Sequence, residues 1–158
     1  TLDAAAVASL LGLRAEDIAD TPPQVVSTGT AFCVTALRSV EALGRLKVDA
    51  EASAPCLREA GARFFYVLAP EENSRWRARM QFYGNEDPAT GSAAGCAISY
   101  LVRHGLWPSG QRLHLRQGIE ISRPSDLYLS ANLIGGKVGE VRVGGSTVPV
   151  ATGRLFLE

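Results

Sequence analysis

The sequence predicts an α+β fold in a single domain over residues 1–158, and three observations support this. Apolar residues with helical spacing alternate with segments rich in β-branched and aromatic residues. The last third of the chain holds strand-like segments joined by Gly-Gly turns, which is typical of an antiparallel sheet. A chain of 158 residues that is 46% hydrophobic can bury one sizeable core. No repeat or linker divides it.

The first half predicts a helix, a strand pair, two further helices and a hairpin. Thr1 or Asp3 can cap a helix whose apolar residues recur every three or four positions until Gly12 ends it. Two strands around a turn are expected at 25–26 and 32–34, after prolines that forbid a helix. The remaining expectations are helices over 37–46 and 52–60 and a hairpin over 63–68 and 75–80.

The second half predicts one buried helix followed by an antiparallel meander. Residues 92–104 are rich in alanine and apolar on almost every side, and Gly105 follows in the position that favours glycine. A helix of this kind is expected inside the protein. Strands are expected over 113–117, 127–134, 137–143 and 148–157.

Composition excludes several classes of function. Sixteen basic residues balance sixteen acidic ones, so the chain lacks the positive charge that general nucleic-acid binding requires. The apolar run over 4–13 is too short to span a bilayer and has no basic flank, so we expect a cytoplasmic protein without a membrane segment. Cys33, Cys56 and Cys96 are widely spaced, which predicts reduced thiols. Since the chain starts at Thr1 and its only methionine is Met80, we expect a fragment or processed product.

One segment has the features of an anion-binding site: residues 86–95, Glu-Asp-Pro-Ala-Thr-Gly-Ser-Ala-Ala-Gly. A turn leads directly into the buried helix, and small side chains let an anion approach the unpaired amides of the helix N-terminus. A capping turn, with Thr90 or Asp87 as the cap, explains the pattern equally well. The segment lacks the Gly-Lys-Ser/Thr of a phosphate-binding loop, and Gly91 and Ser92 are adjacent rather than spaced as in a nucleophile elbow.

Basic residues elsewhere favour structural roles. His104 lies in the last helical turn, where it can bond free carbonyl groups, and His114 alternates with leucines on a strand. Neither histidine suggests a metal site. Arg75, Arg77 and Arg79 share one strand face, which predicts a solvated charge stripe and leaves attraction of an acidic substrate as the alternative.

Residues 77–82 and 86–95 resemble the signature of the PhzF-like phenazine biosynthesis family, whose isomerases are related in fold to diaminopimelate epimerase. The similarity continues through 117–120, 123–125, 141–145, 148–151 and Gly153 and covers most of the chain. Members of that family have two similar lobes, each a mostly antiparallel, barrel-like sheet around a central helix, with the active site between them. The chain resembles the second, C-terminal lobe, with 92–104 as its central helix.

The resemblance implies a cofactor-independent, metal-independent isomerase that moves a proton on a small carboxylate-bearing substrate similar to a dihydro-hydroxyanthranilate. Asp87 would bind or orient this substrate, while Thr90, Gly91, Ser92 and Ala93 would hold its carboxylate or developing charge. The general-base glutamate and a helpful histidine would lie on the missing first lobe, either in cis or on a separate chain. The chain alone is therefore expected to be inactive, and the complete protein is expected to form a homodimer.

Thr90 separates this chain from the related epimerases, which carry Cys-Gly-Ser or Cys-Gly-Thr at the matching helix start. A threonine hydroxyl is far less acidic than a thiol, so racemisation by two opposed thiols is disfavoured. The alternative function is a binding or interaction module that keeps the anion pocket and performs no chemistry. A coding sequence for the first lobe immediately upstream of Thr1 would favour the isomerase.

Overall fold

The computed structural model describes residues 1–157 and shows a mixed α+β fold built on one curled, seven-stranded half-barrel sheet. The helices are α1 (Ala4–Leu10), α2 (Val40–Gly44), α3 (Ala50–Ala60) and α4 (Gly91–Arg103), with a 3₁₀ turn at Ala15–Asp17. The strands are β1 (Gln24–Ser27), β2 (Ala31–Ala36), β3 (Phe64–Glu71), β4 (Arg75–Arg79), β5 (Gln81–Phe82), β6 (Asn85–Glu86), β7 (Leu113–Gln117), β8 (Ser125–Ile134) and β9 (Lys137–Gly145).

The strand order in the main sheet is β1-β2-β3-β4-β7-β8-β9, and β5 pairs with β6 in a small separate hairpin. Most neighbouring pairs are antiparallel, including the β7-β8-β9 meander that the sequence predicts. The parallel pairs are β2 with β3 and β4 with β7. Parallel neighbours need a long crossover. Helices α2 and α3 lie on the first crossover, and α4 lies on the second.

Both faces of the sheet are covered, because its strands alternate side chains between two hydrophobic clusters. In β3, Tyr66 and Leu68 belong to the cluster that contains α4, whereas Phe65 and Val67 belong to the cluster that contains α1, α2 and α3. Residues 93–102 of α4 are all buried. This packing fixes the position of the α4 N-terminus relative to the ends of β4 and β7. No described helix has the length and apolar character needed to cross a membrane.

Helix boundaries follow the capping residues. Asp3 caps α1 by accepting a hydrogen bond from the N–H of Ala6, as the sequence predicts. The helix expected over 37–46 is shorter than expected because Ser39 caps α2 through the N–H of Ala42. Leu37 instead continues the sheet and donates its N–H to the carbonyl of Leu68.

The prediction of a strand over 148–157 is wrong. These residues form neither helix nor strand, and Val148, Val150 and Phe156 are more than four-fifths exposed. A strand forms only where a neighbouring edge supplies hydrogen-bond partners. The sheet ends at β9, and residues 148–157 do not pair with its outer edge, so their alternating apolar pattern has no hydrogen-bond partner among the described residues.

The solvated stripe expected for Arg75, Arg77 and Arg79 is also wrong. The Arg79 side chain is 9% exposed and forms a bidentate ion pair with Glu86, at 2.6 and 3.0 Å. Arg77 pairs with Glu71 and is only one-fifth exposed. Period-two spacing places the three arginines on one face but cannot show that carboxylates from other segments cover it. The carboxylates that pair with these arginines are Glu71, Glu86 and Glu120.

Candidate functional site

All of the predicted site residues lie at the N-terminus of α4. Thr90 is the N-cap residue, and Gly91 and Ser92 begin the helix with exposed positions. Ala93 is fully buried and therefore offers no exposed atom to a site at the helix end, contrary to the prediction that it holds the substrate. Asp87 lies three residues before the cap and is half-buried.

Neither Thr90 nor Asp87 caps the helix with its side chain. The Thr90 hydroxyl makes no capping hydrogen bond, and the Asp87 carboxylate accepts from the N–H of Ala89, before the helix. Among residues 1–157, none accepts a hydrogen bond from the N–H groups of residues 91–93. Unpaired amides at a helix N-terminus carry partial positive charge and attract anions. The helix start can therefore accept a carboxylate or an oxyanion.

The turn before the helix is held by Asp87 and Thr90. The Thr90 hydroxyl donates to Asp87 Oδ2 at 2.9 Å, and the N–H of Ala89 donates to Asp87 Oδ1 at 3.3 Å. The N–H of Asp87 donates to the carbonyl of Met80 at 3.0 Å, which ties the turn to the segment after β4. Both carboxylate oxygens of Asp87 are thus engaged within the turn.

Gln117 holds this turn in place through its side-chain hydrogen bonds. The sequence interpretation does not single it out as a site residue. Gln117 is fully buried at the end of β7. Its Nε2 donates to the carbonyl of Asp87 at 2.7 Å and to Thr90 Oγ1 at 2.9 Å. Its Oε1 accepts from the N–H of Thr90 at 3.2 Å and from the hydroxyl of Tyr66 at 2.7 Å.

A signal for Gln117 exists in the sequence. Strand β7 alternates, and Leu113, Leu115 and Gln117 are the buried residues on one face. A glutamine at a core position must find hydrogen-bond partners, because burial of an unpaired amide is unfavourable. The partner Tyr66 lies on β3, far away in sequence, so the alternation indicates a need for partners without identifying them.

Gly118 lets the next segment pass close to the turn. It has φ +79, and a Cβ there would collide with the carbonyl oxygen of Arg123 and lie 2.9 Å from the carbonyl oxygen of Pro88. Only glycine combines this backbone conformation with such close approach. Gly118 therefore packs the end of β7 directly against the residue that follows Asp87.

An open cleft of about 530 Å³ lies beside the helix start. Gly91 lines it on one side, Tyr128 of β8 lines it on another, and Gly144 of β9 contributes backbone without a side chain. A small ligand in this cleft can reach the region of the free amides. Among residues 1–157, no group of three or more His, Cys, Asp or Glu side chains is arranged to hold a metal ion.

Both histidines lie away from the helix start and have partners of their own. His104 follows α4 and its Nε2 lies 2.8 Å from Oε1 of Gln24, so its side chain bonds this glutamine rather than the helix carbonyls. Burial lowers the pKa of His104. His114 lies on the outer face of β7 and contacts Asp126 at 2.6 Å. Both therefore have structural roles.

The cysteines are expected to differ in reactivity towards thiol reagents. Cys96 is fully buried, with its sulfur 3.6 Å from the hydroxyl oxygen of Thr28, and burial raises the pKa of Cys33 to about 12. Cys56 is partly exposed. Labelling of the native chain with a disulfide reagent should therefore modify Cys56 first and disappear in Cys56→Ser. Rapid native-state labelling of Cys96 would contradict its assignment to core packing.

The half-barrel sheet and the cleft beside the N-terminus of α4 define a class of proteins. Comparison with known proteins identifies that class. The family model described as phenazine biosynthesis-like protein, PhzC-PhzF, matches residues 1–153. The chain therefore belongs to this family, as its motifs indicate.

The proteins similar to this chain include isomerases and proteins of solved structure. The chain is 36% identical over 157 residues to a trans-2,3-dihydro-3-hydroxyanthranilate isomerase of Pseudomonas aeruginosa, which aligns 93% of this chain with 51% of that protein. It is also similar to the structure of a predicted epimerase from Pseudomonas aeruginosa, at 35% identity and a TM-score of 0.75, covering 92% of this chain and 50% of that one.

A PhzF family protein from Bacillus anthracis shares the fold, with 19% identity and a TM-score of 0.70 over 92% of this chain and 56% of that one. The chain thus spans about half the length of the curated relatives it matches.

Proposed function

We propose that this chain is the substrate-binding lobe of a cofactor-independent isomerase. It would act by proton transfer on a small carboxylate-bearing substrate similar to trans-2,3-dihydro-3-hydroxyanthranilate, the compound in the name of its relatives. The observation that carries the proposal is that the N–H groups of the exposed residues Gly91 and Ser92 are unpaired, at a helix start that borders a cleft through Gly91. Such amides bind a carboxylate and stabilise charge that develops during proton removal.

The side chains at the helix start divide between holding and orienting the substrate. Gly91 and Ser92 offer backbone N–H groups, and Ser92 adds an exposed hydroxyl with no side-chain partner among the described residues. Asp87 can accept a hydrogen bond from an amino or hydroxyl group of the substrate. Thr90 holds Asp87 through its hydroxyl. Together these residues would fix one face of the substrate.

The general base is assigned to a second lobe, because the carboxylates near the helix start are already engaged. Glu86 pairs with Arg79 and accepts from Gln81 Nε2 at 3.2 Å. Asp87 accepts from Thr90 and from the N–H of Ala89. A base must reach the proton it removes, and these groups also lie on the same side as the anion donors.

The proposed architecture follows the family pattern. Residues 1–158 would form the C-terminal lobe, with the half-barrel sheet around α4 as its central helix and the first lobe in cis or on a separate chain. A homodimer and a cytoplasmic location remain predictions. A non-catalytic anion-binding or interaction module is the alternative, and the engagement of Glu86 and Asp87 is the observation that favours it.

Replacing Ser92 with alanine is expected to weaken binding of anthranilate, a stable aromatic carboxylate, by about 1 to 2 kcal/mol, because a hydrogen bond to a charged group is lost. Calorimetric titration of both proteins measures this. Ser9→Ala removes an exposed serine from α1 and is the matched control, expected to bind as the parent chain does. Equal affinity of the Ser92 variant would exclude its hydroxyl from the site.

Replacing Gly91 with valine is expected to weaken anthranilate binding more than Ser92→Ala does. A Cβ at Gly91 meets no atom within 4 Å and the backbone φ is ordinary, so the branched side chain fits the fold but projects where the anion would approach. Thermal unfolding should confirm that the variant is folded before titration. A folded Gly91 variant with unchanged affinity would place the carboxylate elsewhere.

A further inference from the structure

The hydrogen bonds of Gln117 fix the orientation of its amide without ambiguity. The N–H of Thr90 can only donate, so the Gln117 atom 3.2 Å from it must be the oxygen. The carbonyl of Asp87 can only accept, so the Gln117 atom 2.7 Å from it must be the nitrogen. Both donors of the amide and both acceptor positions of its oxygen are therefore occupied.

This orientation sets the direction of every other hydrogen bond in the turn. Tyr66 is fully buried and lies 2.7 Å from the amide oxygen, so its hydroxyl must donate to Gln117. Burial and the nearby carboxylate of Asp87 raise the pKa of Tyr66, which keeps that proton in place. The Thr90 hydroxyl accepts from Gln117 Nε2, so its single proton is available for Asp87.

We propose that Gln117, oriented by Tyr66, is a positioning residue that directs the Thr90 proton onto Asp87 and so fixes the Asp87 carboxylate beside the free amides of α4. The proposal deepens the proposed function and rests on it, because Asp87 is taken to orient the substrate. Gln117 does not touch the cleft itself, since it is fully buried, and it acts only through Thr90 and Asp87.

The sharpest test is Gln117→Glu. The ionised carboxylate can still accept from Tyr66 and from the N–H of Thr90. Its other oxygen has no hydrogen for the Asp87 carbonyl, which the glutamine nitrogen contacts at 2.7 Å, and it would accept the Thr90 hydroxyl proton and take it away from Asp87. Anthranilate affinity per folded molecule should fall about tenfold or more, as expected for a misplaced charged hydrogen-bonding group. The ¹³C carboxyl resonance of Asp87 should shift at the same time.

Tyr66→Phe is the second variant, in case Gln117→Glu does not fold. It removes only the hydroxyl that orients the amide and should shift the same Asp87 resonance while lowering affinity. Tyr100→Phe is the matched control, because Tyr100 is equally buried and its hydroxyl bonds Thr21, away from the turn. Thr90→Ser, which keeps the hydroxyl, should bind better than Thr90→Val.

The outcomes separate this proposal from the proposed function. Folded Tyr66 or Gln117 variants with the parent's affinity and an unmoved Asp87 resonance would overturn the positioning role and leave the carboxylate site intact. Failure of the parent chain to bind anthranilate would contradict the proposed site. The Asp87 resonance would then decide the positioning role alone: a shift in Gln117→Glu and not in Tyr100→Phe supports it, and no shift overturns it.

Discussion

Replacing Gly118 with alanine is expected to lower the unfolding free energy by about 2 to 5 kcal/mol and to abolish anthranilate binding. The residue has φ +79, which disfavours any side chain, and its Cβ would collide with the carbonyl of Arg123 and press on Pro88. Pro88 directly follows Asp87, so relief of the collision must move the turn that leads into α4. Urea unfolding and calorimetric titration measure the two effects.

Gly105→Ala is the matched control for this prediction. Gly105 also has positive φ, at +68, but a Cβ there would meet no atom within 4 Å. This variant should lose only about 1 kcal/mol, the cost of the left-handed backbone conformation, and should bind anthranilate normally. Equal losses in the two variants would mean that the close approach of Gly118 to Pro88 and Arg123 does not hold the turn.

Replacing Arg79 with methionine is expected to lower the unfolding free energy by about 3 to 5 kcal/mol, because it leaves the Glu86 carboxylate buried without its partner. The side chain of Glu86 is 6% exposed, and the ion pair is bidentate. Arg79 also donates to the backbone carbonyls of Leu43 and Gly44 in α2. Since Glu86 precedes Asp87, the same change should weaken the site. Thermal and urea unfolding measure the loss.

Arg75→Met tests whether burial is the cause. Arg75 lies on the same strand face, but its side chain is 31% exposed and its nitrogen is 3.6 Å from Glu71, which has other arginine partners. Exposed ion pairs contribute little, so the loss should be below about 1 kcal/mol. A similar loss of stability in the Arg75 and Arg79 variants would show that burial of the Arg79–Glu86 ion pair is not the cause.

The parts of the fold that depend on local pattern are predictable from the sequence. Asp3 begins α1, the alanine-rich run forms α4 up to Arg103, and the glycine pair at 135–136 joins β8 to β9. Each depends on capping, helical periodicity or turn chemistry within a few residues. The turn at Asp87 and Thr90 is likewise visible in the sequence as a run of small and polar residues.

The parts that depend on distant partners are not predictable in this way. Gln117 and Tyr66 lie on strands that are far apart in sequence, so their hydrogen bond with the turn exists only in the folded sheet. The arginine face alternates as a solvated strand would, and its charge is neutralised by Glu71, Glu86 and Glu120, which lie outside β4. The apolar alternation over 148–157 fails because alternation does not supply a pairing partner, and these residues do not join the edge strand β9.

In the proposed function, this chain holds the substrate carboxylate while a second lobe supplies the base. The most direct measurement follows deuterium incorporation from D₂O into trans-2,3-dihydro-3-hydroxyanthranilate, with the chain alone and with a separately expressed first lobe. We expect no exchange above background by the chain alone, because loss of general acid–base catalysis alone costs about 10² to 10⁴-fold, and we expect exchange when the first lobe is added. Robust exchange by residues 1–158 alone would show that the base lies on this chain and that no second lobe is needed to supply it.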